Sequence, residues 1–157
     1  MMMKRIIQWS LPRSGGTFVN QVMGEFIGKN ITKVTELEHS YINNPNCIVV
    51  ATIRHPLECL VSWMLANNIT FTRSNIENAI KRFKNDFFLV QLLEKSDHCI
   101  IFPYEEFHKN PDLIHQVVEK VFRISVPQEK RQEIYKKYEK SNNSSVTITN
   151  TTNWKDK

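Results

Sequence analysis

The chain has 157 residues, of which 41% are hydrophobic and 24% charged, with a formal net charge of +5. A chain of this length buries about 68–70% of the surface it exposes when unfolded, so one domain can hold a packed core without disulfide or metal staples. Composition excludes a disordered or repetitive polymer, and a modest positive charge spread along the chain favours nucleotide phosphates over duplex nucleic acid.

The opening Met-Met-Met-Lys-Arg leads into an apolar run, Ile6 to Trp9, too short for a signal-peptide core or a membrane span. Residues 5–10 read as a buried strand broken at Pro12, and from Thr17 the apolar residues Phe18, Val19, Val22, Met23, Phe26 and Ile27 recur at helical spacing. The β-branched run Cys47 to Ile53 reads as a second strand, ending at Arg54-His55-Pro56, after which Leu57, Leu60, Val61, Met64 and Leu65 resume a helix. Ser74 with Glu77 has the form of a capping box before a helix face of Ile76, Ile80, Phe83, Phe87 and Val90. His98 to Phe102 is a third strand. Asn110-Pro111 opens a helix with the stripe Leu113, Ile114, Val117, Val118, Val121 and Phe122, and Pro127 opens a last helix to about Tyr138, whose basic run reads as a solvated face.

Apolar strands alternating with helices predict an α/β fold: a three-layer α/β/α arrangement around a parallel sheet, one domain over residues 1–140, then a polar tail over 141–157. Such sheets bind ligands at the carboxyl ends of their strands. Cys47, Cys59 and Cys99 are odd in number and lack CxxC spacing, which predicts reduced, buried thiols in a reducing compartment, and hence a cytoplasmic location. No metal site is expected, because His, Cys and carboxylate residues show no ligand spacing.

Two turns carry chemistry. Leu11-Pro12-Arg13-Ser14-Gly15-Gly16-Thr17-Phe18 joins a strand to a helix through two glycines, so backbone N–H groups and the helix dipole can cradle an anion. Arg13 adds a charge with bidentate geometry, and Ser14 and Thr17 add hydroxyls. A P-loop would place Lys where Gly16 stands. In the second turn Arg54 closes a strand and Ser62 follows eight residues later, on the polar side of the next helix with Glu58. They can hold a second phosphate; a surface ion pair of Arg54 with Glu58 and an ordinary helix serine are the alternatives.

Together these turns resemble the sulfotransferases that use 3′-phosphoadenosine 5′-phosphosulfate (PAPS). The resemblance spans residues 6 to about 122. It implies that Arg13, Ser14, Gly15, Gly16, Thr17 and Phe18 hold the 5′-phosphosulfate side, and that Arg54 and Ser62 hold the 3′-phosphate. In Phe102-Pro103-Tyr104-Glu105-Glu106-Phe107, similar to a third family segment, Tyr104 is implied to lie near adenine. Phe18 stands in place of the family's Trp, Gly16 in place of a hydroxyl residue, and Thr147 to Lys155 only echo the family's C-terminal loop, here without its glycines.

The implied reaction moves a sulfuryl group from PAPS to a hydroxyl or amine of a small-molecule or saccharide acceptor, releasing adenosine 3′,5′-bisphosphate (PAP). Arg13 is expected to meet the charge on the departing phosphate and His39 to act as general base, with Glu36 or Glu38 as substitutes and His55 orienting its turn. The competing readings are a P-loop nucleotide kinase and a nucleotide-binding protein without catalysis.

Overall fold

An unbroken apolar strand needs cover on both faces, and the sheet places its most apolar strands accordingly. The computed structural model describes residues 5–29 and 31–146. Among these, β1 (Arg5–Ser10), β2 (Thr32–Lys33), β3 (Cys47–Ile53) and β4 (Cys99–Pro103) form one parallel sheet in the order β2-β1-β3-β4. The helices are α1 (Gly16–Ile27), α2 (His39–Ile42), α3 (Pro56–Ala66), α4 (Arg73–Glu94), α5 (Tyr104–Phe107), α6 (Asp112–Phe122) and α7 (Gln128–Val146).

Side-chain alternation along the strands divides the core into two layers. Ile6, Val50 and Phe102 pack with Val19, Val22 and Met23 of α1, Ile114 and Val118 of α6, and Ile134 and Tyr135 of α7. Ile7, Trp9, Val49 and Ala51 point the other way, into a cluster with Ile42 of α2, Cys59 of α3 and Leu93 of α4. Helices therefore cover both faces of an α/β parallel sheet. A third cluster joins Leu60 and Met64 of α3 to Ala79 and Phe83 of α4, and burying Phe83 alone contributes about 1.5–3 kcal/mol.

Several local expectations need correction. The cap of α4 is Thr72, whose hydroxyl accepts from the Asn75 N–H at 3.2 Å; Ser74 is already inside the helix, where Glu77 pairs with Arg73 at 3.1 Å. Only Thr72 has the extended backbone, φ −100° and ψ 157°, that an N-cap requires. Ile80 is 52% exposed because the buried line runs through its neighbour Ala79 to Phe83. Val121 is likewise on the outside of α6, while His115 is buried, its Nε2 accepting from the Val126 N–H at 3.0 Å.

Helix α7 continues to Val146, past the expected end near Tyr138 and past the expected domain limit at residue 140. It is tied down by Arg131 Nε, 3.2 Å from Asp112 Oδ1, and by the Tyr135 hydroxyl, which donates to the same oxygen at 2.7 Å. The remainder of the expected tail, residues 147–157, lies outside the described residues, and so does the echo of a C-terminal loop in it. The short elements β2 and α2 were not predicted; neither is long enough to show an apolar period. Among the described residues no helix is long and apolar enough to cross a membrane.

Candidate anion-binding site

β1 and β3 run side by side, so the turns that follow them emerge at the same edge of the sheet. The first turn is pinned from beneath. Leu11 N–H donates to the Thr52 carbonyl at 3.1 Å, and the Ser14 hydroxyl sits 2.5 Å from the Leu11 carbonyl, 3.1 Å from the Thr52 carbonyl and 2.7 Å from Thr52 Oγ1. Ser14 is buried, and its one proton is committed within this knot. Its hydroxyl therefore braces the loop, and only its backbone N–H is left for a ligand.

Each glycine answers to a different constraint. Gly15 has φ +81°, a left-handed conformation that a Cβ disfavours, and a Cβ there would lie 2.8 Å from Phe107 Cζ and 3.1 Å from Tyr104 Cδ2. Gly16 has ordinary helical geometry, but a Cβ would fall on the Ser10 side chain, 2.6 Å from Ser10 Cβ. This is why no hydroxyl residue stands at 16: the end of β1 occupies the space. The Gly16 carbonyl accepts from Gln8 Nε2 at 2.7 Å, so a fully buried glutamine in mid-strand fastens the start of α1 to the sheet. Sequence reasoning missed Gln8, although a polar residue inside an apolar strand was the available signal.

The second turn closes onto the first. Arg54 Nη1 donates to the Arg13 carbonyl at 3.0 Å, Arg54 Nε lies 3.4 Å from Glu58 Oε2, and the Arg54 guanidinium carbon stands 4.4 Å above the centre of the Tyr104 ring. Arg13 Nε donates to Ser62 Oγ at 3.1 Å. The ion pair with Glu58 thus coexists with the contact to the loop, and the guanidinium fork has further N–H groups for an anion. His55 caps α3, its Nδ1 accepting from the Leu57 N–H at 3.2 Å, while its own N–H donates to Glu105 Oε1 at 2.7 Å.

Tyr104 is the meeting point: the Gly15 position touches its edge and Arg54 covers its face. Burial pushes its phenol above the ordinary tyrosine range, so at neutral pH it keeps its proton. Beyond it, Phe18 stacks on Phe107 with ring centres 6.4 Å apart, and a cavity of about 480 Å³ opens between Phe18, Tyr104, Phe107, His108 and the α7 residues Tyr135 and Lys136. A planar base can enter between such walls.

Lys33, at the end of β2, brings a cation that sequence reasoning also missed. Its Nζ donates to Thr17 Oγ1 at 3.2 Å. Nothing in one sequence marks it, because β2 is only two residues long. Among the described residues no group of three His, Cys, Asp or Glu is arranged to hold a metal ion. Cys47, Cys59 and Cys99 are free thiols; burial pushes Cys59 and Cys99 up to about 12, so they are inert at neutral pH.

The structure therefore brings together Arg13, Ser14, Gly15, Gly16, Thr17, Phe18, Arg54, Ser62 and Tyr104, and it separates His39 from them. His39 opens α2 and shares a cavity with Phe88, Leu92, Asp97 and His98, the last of these just before β4 begins. That is the edge where the strands start, opposite the cradle. Glu38 precedes it and faces Ser40 at 3.4 Å, whereas Glu36 follows the end of β2 by three residues.

No family model matches the chain, and no curated protein aligns with it significantly.

Proposed function

We propose that the chain is a sulfotransferase that takes PAPS as donor and a hydroxyl- or amine-bearing small molecule or saccharide as acceptor. One observation carries the reading: two anion-binding corners, the glycine loop and Arg54 with Ser62, meet across a single tyrosine ring. A ligand with phosphates on both sides of one nucleoside would use both corners, and the aromatic cavity next to Tyr104 offers a place for its base. The glycine turn supports the same ligand through the backbone N–H groups at the start of α1, which can point at an anion, while Gly15 and Gly16 let that turn pack closely on Tyr104, Phe107 and Ser10. On this proposal the α/β parallel sheet is a P-loop-like sulfotransferase fold.

In this reading the backbone N–H groups at the start of α1 and the Arg13 guanidinium bind the 5′ side, and Arg54 with Ser62 bind the 3′-phosphate. PAPS supplies a sulfuryl group on a phosphate leaving group. Arg13, with Lys33 close to Thr17, stabilises the negative charge that builds on the leaving oxygen as the acceptor attacks in line. Tyr104, protonated at neutral pH, can donate a hydrogen bond without adding charge. Glu36 is the candidate base nearest in sequence to the cradle edge. The free thiols favour a reducing compartment such as the cytoplasm. A second reading, nucleotide binding without catalysis, draws on the position of His39 away from the cradle.

Thermal shift decides between ligands. Adenosine 3′,5′-bisphosphate at 100 times its dissociation constant should stabilise the fold by about 2.7 kcal/mol, and more than AMP or ADP at equal concentration. Arg54→Ala should abolish the preference for the 3′-phosphate. Equal shifts with AMP and the bisphosphate in the wild type would end the proposal, and sulfuryl transfer from PAPS to an acceptor panel separates enzyme from binding protein.

A further inference from the structure

Arg13 is not a glycine, yet its φ is +61°, in the left-handed region. Such a conformation costs a residue with a Cβ free energy, so something must hold it. On one side Ser14 is knotted to Leu11 and Thr52. Arg13 itself is held twice, once from the second turn and once from the helix after it: Arg54 takes its carbonyl at 3.0 Å and Ser62 of α3 takes its Nε at 3.1 Å.

The geometry assigns Arg54 a positioning role: by gripping the Arg13 carbonyl it keeps the glycine loop in the shape that receives an anion, so the two corners form one unit. This deepens the nucleotide reading and rests on it only for the identity of the ligand. Arg54 is suited to the task because it is itself immobilised. Its side chain is 12% exposed, its Nε is 3.4 Å from Glu58, and its guanidinium carbon lies 4.4 Å from the Tyr104 ring centre. A residue placed only to catch a phosphate needs no bond to the neighbouring main chain. Lysine offers one compact ammonium, which cannot reproduce the forked grip on both the Arg13 carbonyl and Glu58.

The test starts with unliganded protein and amide hydrogen exchange followed by NMR. Leu11 and Val19 report on the two flanks of the loop, since their N–H groups donate to Thr52 and Gly15; Val49, which donates to His98 at the other edge, is the reference. Arg54→Ala should speed exchange at Leu11 and Val19 by about tenfold and leave Val49 unchanged, with a smaller increase in Arg54→Lys. The ratio of AMP to adenosine affinity, which isolates the 5′-phosphate, should fall by about tenfold in Arg54→Ala. Wild-type exchange at Leu11 and Val19 in both variants would overturn the assignment. So would equal acceleration at Val49 in both, which signifies general destabilisation. An unchanged AMP ratio with lost bisphosphate affinity would reduce Arg54 to a 3′-phosphate ligand and leave the nucleotide reading standing. Accelerated exchange in a protein that never prefers the bisphosphate would keep the brace and discard that reading.

Discussion

The two ends of the sheet differ in how their polar groups are held. At the carboxyl ends of the strands, Ser14, Thr52, Arg13, Arg54 and Ser62 are bonded to one another or to loop carbonyls, and the amide of mid-strand Gln8 reaches the Gly16 carbonyl at the start of α1. At the amino ends, His39 stands exposed on a helix of four residues, beside a cavity of about 480 Å³ that also contains His98 and Asp97. Both ends offer titratable side chains and space. Only the first has them fixed, and fixed groups are what charge stabilisation in a transition state requires. An imidazole in the right stretch of sequence is a weaker signal than a serine whose hydroxyl is buried in a knot.

The sharpest way to break this contrast is Gly16→Ala. Its Cβ must push aside Ser10 at the end of β1, and such overpacking costs about 1–3 kcal/mol. We expect the urea midpoint to fall accordingly and nucleotide binding to disappear; an alanine variant with wild-type binding would show that the close approach at the cradle is dispensable. Ser14→Ala should follow, with a loss of about 1–3 kcal/mol, because Thr52 Oγ1 loses its buried partner. Were its unfolding curve that of the wild type, the knot would not be what holds the loop.

Acid titration sharpens the same comparison on the wall of the aromatic cavity. The Tyr135 hydroxyl, and then Arg131, hold the Asp112 carboxyl below the usual carboxylate range. A depressed folded value means that the stabilisation is present above the unfolded value near 3.8 and is lost as pH falls through the lower, folded one. The wild type should therefore lose stability below about pH 4 more steeply than Asp112→Asn, in denaturation curves taken from pH 6 downward. Parallel curves would show that the carboxylate contributes nothing. The smallest effect is expected for His39→Ala at the opposite edge: stability within about 0.5 kcal/mol and unchanged nucleotide binding. A fall in turnover of about 10²-fold or more, with binding intact, would return the imidazole to the reaction and collapse the distinction between the two edges.

Much of the scaffold is legible in the sequence. The runs Arg5–Ser10 and Cys47–Ile53 are strands with the limits their apolar, β-branched residues suggested, because a strand buried on both faces leaves little choice of side chain. The helix after each turn was equally plain from its period. Caps and faces were less so: Thr72 outcompetes Ser74, and Ala79 outcompetes Ile80, because a one-residue shift rotates a helix face by about 100°, and packing against α3 decides which face is buried.

By itself the sequence determined the α/β order, the glycine loop and the Arg54 to Ser62 spacing, all of which are local patterns with a local physical cause. Only the tertiary structure decided that Arg54 grips the Arg13 carbonyl, that Lys33 reaches Thr17, that Ser14 faces inward and that His39 lies at the far edge. These depend on which strands are neighbours and in what register, and no pattern within a single segment encodes a partner contributed by another.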